Sequence, residues 1–329
     1  MNSPTDSDVG VLLINLGTPD APEPAAVRRY LAEFLSDPRV IEIPGLVWKP
    51  ILYGVILRTR PAKSAEAYKE VWTDEGSPLM AISKRQAARL RERLGDTICV
   101  GLAMRYGKPS IRDALSRMID HGFKRILLAP LYPQYCAATT ATALDAAFAE
   151  LGKMREQPAI RTLPPYFDDP LYIGALNASI ERQLAALDFT PQRLLLSFHG
   201  MPERTRQLGD PYHDHCQETA RQLAGTLDLP VDVAFQSRFG KAKWLEPATD
   251  VTLAAYPESG IKRIAIAAPG FSADCLETLE ELGIRGRETF LQAGGTHFAR
   301  LDCLNDSDEG MAMLDALVRR ELAGWWPRD

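Results

Sequence analysis

Two short segments carry side chains whose types and positions could do chemistry. In RLLLSFHGMPERT, residues 193–205, an apolar run ends in His199 and is followed by turn residues. A histidine at the end of a buried strand can accept a proton or contact a metal near neutral pH. In PGFSADCLETLEELG, residues 269–283, Glu277 and Glu281 follow a second apolar run. Carboxylates suit a hydrated divalent cation, so the segments together predict proton transfer or metal handling.

Both segments also have a purely structural interpretation. His199 could hydrogen-bond a neighbouring loop at the end of its strand. Asp274 and Glu277 have the spacing of a capping box, and acidic residues near a helix N-terminus are favoured by about 0.3–1 kcal/mol each. Helix stability alone could therefore explain the acidic residues.

The elements that must position these residues are predicted from apolar runs that end in turn residues, a pattern typical of buried parallel strands. The predicted strands lie near residues 10–16, 98–104, 125–131, 159–163, 193–198, 231–237, 263–268 and 297–302. Amphipathic helical stretches alternate with them, which predicts parallel sheets with helices on both faces. Ligands bind beyond the carboxyl ends of the strands in such sheets, and His199 lies at one of those ends.

The chain nearly repeats itself. GFKRILLAP at 122–130 resembles GIKRIAIAAP at 260–269, and RYGK at 105–108 is echoed by RFGK at 238–241. Self-similarity in a fixed order indicates two copies of one α/β unit. The predicted fold class is therefore α/β, with two similar Rossmann-like lobes and a ligand cleft between them.

The repeat also shows where the two copies differ. It aligns Leu16 with His199 and Ala138 with Glu277. The second copy therefore carries both ionisable groups, and the first is expected mainly to shape the ligand pocket.

The predicted domain boundary lies at LPPYFDDP, residues 163–170, where prolines and aspartates interrupt both periodicities. An N-terminal lobe with the pocket lip is assigned to 8–163 plus 305–329. A C-terminal lobe with the histidine and the glutamate is assigned to 164–304. The last helix, about 308–323, is expected to pack back on the first lobe.

Composition excludes some classes of protein. The chain has 329 residues, a net charge of −5 and a pI near 5.7, so it offers no basic field for a nucleic acid. It has no GxGxxG after its first strand and no GxSxG, which argues against a dinucleotide-dependent oxidoreductase and an α/β-hydrolase. Five scattered cysteines and a polar N-terminus without a secretion signal predict a cytoplasmic protein with reduced thiols.

The segment LVWKPILYGVIL, residues 46–57, is apolar but contains Lys49 and Pro50. It is much shorter than the roughly 20 residues that span a bilayer. It could pack on the core, or it could form an apolar lip that receives a flat ligand and touches a membrane surface.

Several further segments share a resemblance with the two described first. They are VLLINLGTPDAP at 11–22, YLAEFLSDPRVIEIP at 30–44, GSPLMAIS at 76–83, MRYG at 104–107, PLYPQY at 130–135, FQSRFGKAKWLEP at 235–247 and CLND at 303–306. In sequence and in order, the set resembles the ferrochelatase family, bacterial type, whose members insert ferrous iron into a porphyrin to make haem.

The resemblance implies roles for single residues. His199 and Glu277 fall on catalytic positions, and both, with Glu281, on positions that handle the metal. Residues expected to contact the porphyrin are Leu16, Arg105, Tyr106, Tyr132 and Trp244.

The resemblance also implies the substrates, which are ferrous iron and protoporphyrin IX in the last step of haem biosynthesis. Coproporphyrin, or a two-lobed binding protein without catalysis, are the alternatives. No prosthetic group is expected, and no iron–sulfur cluster, because no cysteine follows Cys303. Peripheral membrane contact is expected through residues 46–57.

Overall fold

The computed structural model describes residues 8–240 and 242–326. Features predicted at the N-terminal residues 1–7, at Lys241 and at residues 327–329 lie outside the described residues. The chain divides into two compact units. Unit 1 comprises Met1–Tyr132, Ala137–Pro164 and Leu314–Asp329, and unit 2 comprises Pro133–Cys136 and Pro165–Met313.

Up to residue 164, the described part of unit 1 contains four strands and six α-helices. The strands are β1 Val9–Gly17, β2 Cys99–Tyr106, β3 Arg125–Pro130 and β4 Ala159–Thr162. The helices are α1 Pro24–Phe34, α2 Gly45–Ile51, α3 Leu57–Val71, α4 Pro78–Leu94, α5 Ile111–Asp120 and α6 Thr142–Leu151, with π-helical segments at Leu52–Ile56 and Ala137–Ala141. The strands form a parallel sheet in the order β2-β1-β3-β4.

Unit 2 repeats this arrangement. Its strands are β5 Arg193–His199, β6 Val231–Gln236, β7 Arg263–Ala267 and β8 His297–Arg300. Its helices are α7 Pro170–Ala185, α8 Glu203–Gln207, α9 Tyr212–Ala224, α10 Thr249–Ala255 and α11 Arg287–Gln292, with a π-helix at Glu277–Gly286, and α12 Asp308–Glu321 follows. The parallel sheet has the order β6-β5-β7-β8. The prediction of two Rossmann-like units with parallel sheets flanked by helices is confirmed, and each predicted strand is present.

The strands are continuous apolar runs in the sequence because their residues are buried on both faces of the sheet. Both faces of these parallel sheets are covered, so successive residues of β1 and of β5 are buried. In unit 1, Leu12 and Ile14 share a core with Leu115 of α5 and Ala143 of α6. Each fully buried Leu or Ile side chain contributes about 1.5–3 kcal/mol to folding.

The two units also share the geometry at the end of their second strands. Gly107 after β2 has a φ of 83°, and Gly240 after β6 has a φ of 70°, both in the left-handed region that glycine adopts at no steric cost. The chain then turns back, so that Met104 N–H donates to a proline carbonyl at 2.7 Å and Phe235 N–H to another at 2.8 Å. The ends of β2 and β6 therefore share a glycine of positive φ and a backbone hydrogen bond to a later proline carbonyl.

Two parts of the predicted division differ from the structure. Residues 133–136 and 305–313 are predicted in the first lobe but cluster with unit 2. Asn305 is hydrogen-bonded to Asp274 at 2.6 Å, and Glu309 forms an ion pair with Arg182 at 2.9 Å. These contacts tie the start of α12 to unit 2.

The segment 46–57 has two faces. Trp48, Leu52 and Leu57 are buried, as the core interpretation predicts. Other apolar side chains of the same stretch point to solvent, among them Leu46, which is 94% exposed, and Val55. Among the described residues, no helix has the length and apolar character needed to cross a bilayer.

Candidate active site

His199 is the last residue of β5 and is half-buried. Its ring lies edge-on to Phe271, with 6.4 Å between the ring centroids. The next residue, Gly200, donates its N–H to the Gln236 carbonyl at 2.7 Å. A Cβ on Gly200 would lie 2.4 Å from that oxygen, which real Cβ atoms do not tolerate. Gly200 therefore allows the chain to leave the sheet directly after His199.

Gln236 at the end of β6 connects the two predicted segments. Its buried side chain accepts a hydrogen bond from the Ser197 hydroxyl at 2.8 Å. Its Nε2 donates to the Glu277 carbonyl oxygen at 3.3 Å. The strand that carries His199 is thereby linked to the start of the π-helix.

The π-helix Glu277–Gly286 follows β7, the strand adjacent to β5. Glu277 and Glu281 are half-buried, and Glu281 accepts two hydrogen bonds from Ser237, described below. Glu280 is buried and pairs with Arg285 through two hydrogen bonds of 2.7 and 2.9 Å. The three carboxylates therefore differ in environment, and Glu280, to which the resemblance assigns no role, is the one held in an ion pair.

The capping-box interpretation of Asp274 and Glu277 does not match the structure. Thr278, not Glu277, bonds the backbone before the helix. Its hydroxyl accepts a hydrogen bond from the Cys275 N–H at 3.0 Å and donates one to Asp274 at 2.7 Å. Burial and the nearby Glu277 carboxylate raise the pKa of the Cys275 thiol well above its usual value. The Glu277 carboxylate is therefore not required to cap the helix.

Asp274 is the anchor of the loop before Glu277. Its buried carboxylate forms an ion pair with Arg300 at 3.0 Å and accepts from Asn305 at 2.6 Å. The Asn305 side-chain oxygen in turn accepts from the Asp274 N–H at 2.7 Å. A buried carboxylate with several donors holds its loop in one conformation, and it fixes where the π-helix begins.

Unit 1 presents partly exposed side chains at the corresponding strand ends. Leu16 is the one residue of β1 that is not fully buried. Tyr132 follows β3 and is also half-buried. Leu16 and Tyr132, two of the four porphyrin contacts predicted in this unit, thus lie at the carboxyl edge of its sheet.

Arg105 and Tyr106 both contact the carboxylate of Asp37. The sequence analysis assigns no role to Asp37. Arg105 forms an ion pair with Asp37 and donates to the Thr142 hydroxyl at 2.7 Å. The Tyr106 hydroxyl donates to Asp37 at 3.0 Å. Burial would raise the pKa of Asp37, but hydrogen bonds from Thr142, the Arg39 N–H and Tyr106, with the charge of Arg105, hold that pKa below its ordinary value of 3.8.

Arg105 and Tyr106 differ in their exposure to solvent. Arg105 lines an open groove of about 650 Å³ in unit 1 together with Tyr53 and Arg39. Tyr106 is fully buried under the Arg105 guanidinium, which lies 4.4 Å from its ring centroid. Tyr106, which is predicted to contact the porphyrin, is thus buried in this structure, and its hydroxyl lies on Asp37.

Trp244 is half-buried in unit 2 and lies beside the histidine segment. Its Nε1 donates to the Phe239 carbonyl at 3.0 Å. Its ring would lie 3.4 Å from a Cβ on Gly200. Trp244 therefore packs beside Gly200, and the Trp244 side chain remains partly exposed.

The predicted metal residues are not arranged as a closed site. Across residues 8–240 and 242–326, no group of three His, Cys, Asp or Glu residues could hold a metal ion. His199, Glu277 and Glu281 lie in one unit and at one sheet edge, and they do not form a three-ligand cluster.

Comparison with known proteins agrees with the sequence motifs. Residues 8–322 match the family model described as Ferrochelatase. A protein named "Ferrochelatase" from Mesorhizobium japonicum is 52% identical over 96% of this chain and 92% of its own length. "Ferrochelatase 2" from Shewanella oneidensis is 53% identical over 94% of this chain and 97% of its own length.

Solved structures share the fold at low sequence identity. SirB from Bacillus subtilis with Fe3+ has a TM-score of 0.59 and 12% identity, covering 96% of both chains. The sirohydrochlorin chelatase SirB from Bacillus subtilis subspecies spizizenii, in complex with cobalt, has a TM-score of 0.55 and 10% identity, covering 95% of this chain and 94% of that one. The fold is chelatase-like, and the sequence match over nearly the full length shows that this chain belongs to the ferrochelatase family.

Proposed function

We infer that this chain inserts ferrous iron into a porphyrin, with release of two protons, in the last step of haem biosynthesis. The observation that carries this inference is the family match over residues 8–322. Relatives about half identical over nearly the whole chain are named as enzymes of this kind. A binding protein without catalysis is therefore not favoured.

The proposed base is His199. Two pyrrole N–H protons must leave the ring before iron can occupy its centre, and imidazole can accept a proton near neutral pH. Its position at the carboxyl end of β5, followed by the close approach of Gly200 to Gln236, supports this role. The backbone after His199 is held in place, so the imidazole is presented from a rigid strand end.

The proposed metal-handling groups are Glu277 and Glu281, with His199 as a further contact. Iron is a substrate here and must be released to the porphyrin. Carboxylates bind a hydrated divalent cation without the tight hold of thiolates, and the residues do not form a closed three-ligand group. This arrangement supports transfer of the ion from one group to the next.

The proposed porphyrin contacts are Leu16, Tyr132 and Arg105 on unit 1 and Trp244 on unit 2. Apolar and aromatic side chains suit the flat ring, and a guanidinium suits a propionate. The accessible groove beside Arg105 supports its role. Tyr106 and Asp37 are proposed to hold Arg105 in position. Protoporphyrin IX is the proposed substrate.

We propose that the protein carries no prosthetic group. The five cysteines are scattered along the chain without a CxxC pair, and four of them are buried. Acid-labile sulfide or a 2Fe–2S absorption band in freshly purified protein would contradict this.

We further propose a cytoplasmic protein that contacts a membrane surface peripherally. Apolar side chains of 46–57 point to solvent and Arg58, Arg60 and Lys63 follow directly. Apolar insertion combined with basic residues favours an anionic lipid surface. Co-sedimentation with vesicles containing anionic lipid should fall for Leu46→Asp, while Leu208→Asp, at another exposed leucine, should bind as wild type. Equal binding of both variants would remove the membrane proposal.

The central test is anaerobic incubation of the purified protein with ferrous iron and protoporphyrin IX. Loss of free-porphyrin fluorescence together with the appearance of haem absorption is expected. Coproporphyrin measured in parallel tests the choice of substrate, since a higher kcat/KM for it would reverse the assignment. Porphyrin binding without metal insertion would support the binding-protein alternative.

A further inference from the structure

Ser237 has an unusual backbone conformation. It directly follows β6 and has a φ of 66°. Among the described residues, Asn305 is the other non-glycine residue with positive φ. The left-handed region is sparsely populated by residues with a Cβ, and where it occurs it often serves a functional purpose.

In this conformation Ser237 directs two donors at one carboxylate. Its backbone N–H donates to Oε1 of Glu281 at 2.8 Å, and its hydroxyl donates to Oε2 at 2.5 Å. Hydrogen bonds to a carboxylate are shorter and stronger than those between neutral groups. Both oxygens are thus held by one residue, which fixes the rotamer and the plane of the carboxylate.

The neighbouring residue holds the same helix. Gln236, one position earlier, donates to the Glu277 carbonyl oxygen at 3.3 Å. The end of β6 therefore contacts the π-helix at both of its proposed metal-handling positions. The contact to Glu277 reaches its backbone, whereas the contact to Glu281 reaches the carboxylate itself.

We propose that Ser237 is a positioning residue for Glu281. Its two hydrogen bonds hold the Glu281 carboxylate in one orientation at the carboxyl edge of the sheet. The remaining lone pairs of the two carboxylate oxygens, which could accept a proton or contact a cation, therefore keep a fixed direction. A carboxylate has about four such lone pairs, and Ser237 uses two of them. This role deepens the proposed function and rests on it, because it assigns Glu281 to the handling of iron or protons.

The decisive variant is Ser237→Gly. Glycine adopts positive φ readily and keeps the backbone N–H, so the variant removes the hydroxyl contact without imposing strain. We expect kcat/KM for ferrous iron to fall about tenfold, the equivalent of one hydrogen bond to a charged group, with KM for porphyrin unchanged. Ser259→Gly, at an exposed serine of the same unit, is the matched control and should behave as wild type.

A second variant shows whether Ser237 acts through Glu281. In a Glu281→Ala background, Ser237→Gly should have no further effect on the rate. Wild-type kinetics for Ser237→Gly, or the same loss with and without Glu281, would overturn the proposal.

The test remains decisive if the proposed function fails. Absence of iron insertion by the wild type would contradict the function, but the contact can still be measured through stability. A double-mutant cycle on the denaturant midpoint should show that the effects of Ser237→Gly and Glu281→Ala are not additive. Additive effects would mean that the hydroxyl does not hold the carboxylate.

Discussion

The backbone of Gly200 approaches Gln236 so closely that its N–H donates to the Gln236 carbonyl at 2.7 Å and no Cβ fits between them. This contact joins the end of β5 to the end of β6 immediately after His199. The position of the proposed base therefore depends on a residue without a side chain.

Substitution of Gly200 by alanine should damage both stability and activity. The added Cβ would lie 2.4 Å from a backbone oxygen, and forcing extra atoms into a packed site costs about 1–3 kcal/mol. Gly174→Ala is the control, since an added Cβ there meets nothing within 4 Å in helix α7, and alanine should stabilise it by about 1 kcal/mol. Denaturant midpoints and initial rates measure both effects. A fully active, stable Gly200→Ala would show that the close approach is unimportant.

Removal of the proposed base should slow iron insertion without preventing porphyrin binding. His199→Ala is expected to lose roughly 10²–10⁴-fold in rate, the range typical of a general base. Porphyrin affinity, measured by fluorescence titration, should survive because apolar contacts supply most of it. His121→Ala, at an exposed histidine that ends α5, should retain the wild-type rate. A His199→Ala rate of one tenth of wild type or more would remove the assignment.

Neutralising Glu277 separates chemistry from helix capping. Because Thr278 and Asp274 satisfy the start of the helix, Glu277→Gln should change stability by less than about 1 kcal/mol. If Glu277 handles protons or iron, the rate should fall about 10²-fold or more. Glu288→Gln, at an exposed glutamate of α11, is the matched control. Glu280 is unsuitable because its buried carboxylate pairs with Arg285. Equal rates for Glu277→Gln and Glu288→Gln would return Glu277 to a structural role.

The ion pair of Asp37 and Arg105 should give a characteristic pH dependence of stability. The folded state lowers the pKa of Asp37 below 3.8. Its contribution is therefore fully present above that value and is lost as the pH falls through the lower, folded-state pKa. At pH 7, Asp37→Asn should cost about 1–3 kcal/mol, because the partly accessible Arg105 guanidinium and the Tyr106 hydroxyl lose a charged hydrogen-bond partner.

The difference in unfolding free energy between wild type and Asp37→Asn should stay constant from pH 7 to about pH 5 and shrink below the ordinary carboxyl pKa. Denaturant unfolding at each pH measures it. Asp145→Asn removes an exposed partner of Arg39 and should cost at most about 1 kcal/mol. A difference that grows towards low pH would contradict this reading of Asp37.

The elements of the fold could be predicted because their causes are local. Each buried strand is an apolar run closed by a turn, and the repeat of GFKRILLAP and GIKRIAIAAP showed that two units are alike. The acidic helix was also located correctly. Its π-helical geometry was not predicted, since apolar periodicity does not distinguish it from an α-helix over ten residues.

The partners of the site residues could not be predicted in the same way. Asp37 lies 68 residues from Arg105 in the sequence, and no local pattern joins them. Ser237 lies within the recognised FQSR segment, but its contact with Glu281 depends on a left-handed backbone that forms where β6 ends. The burial of Tyr106 could not be predicted either, because it depends on the contact of its hydroxyl with the distant Asp37.

The identical strand order of the two units has a consequence for how this chain could change over time. In the sequence repeat, Leu16 and Ala138 of unit 1 align with His199 and Glu277 of unit 2. In two units of the same fold, residues at the strand ends can be substituted without changing the buried strands. The fold of each unit and the reactivity of its strand ends can therefore change independently. Unit 2 can keep His199 and Glu277 while the strand ends of unit 1, which have no counterpart of these two residues, change in ligand specificity. Selection or design could therefore alter ligand specificity through unit 1.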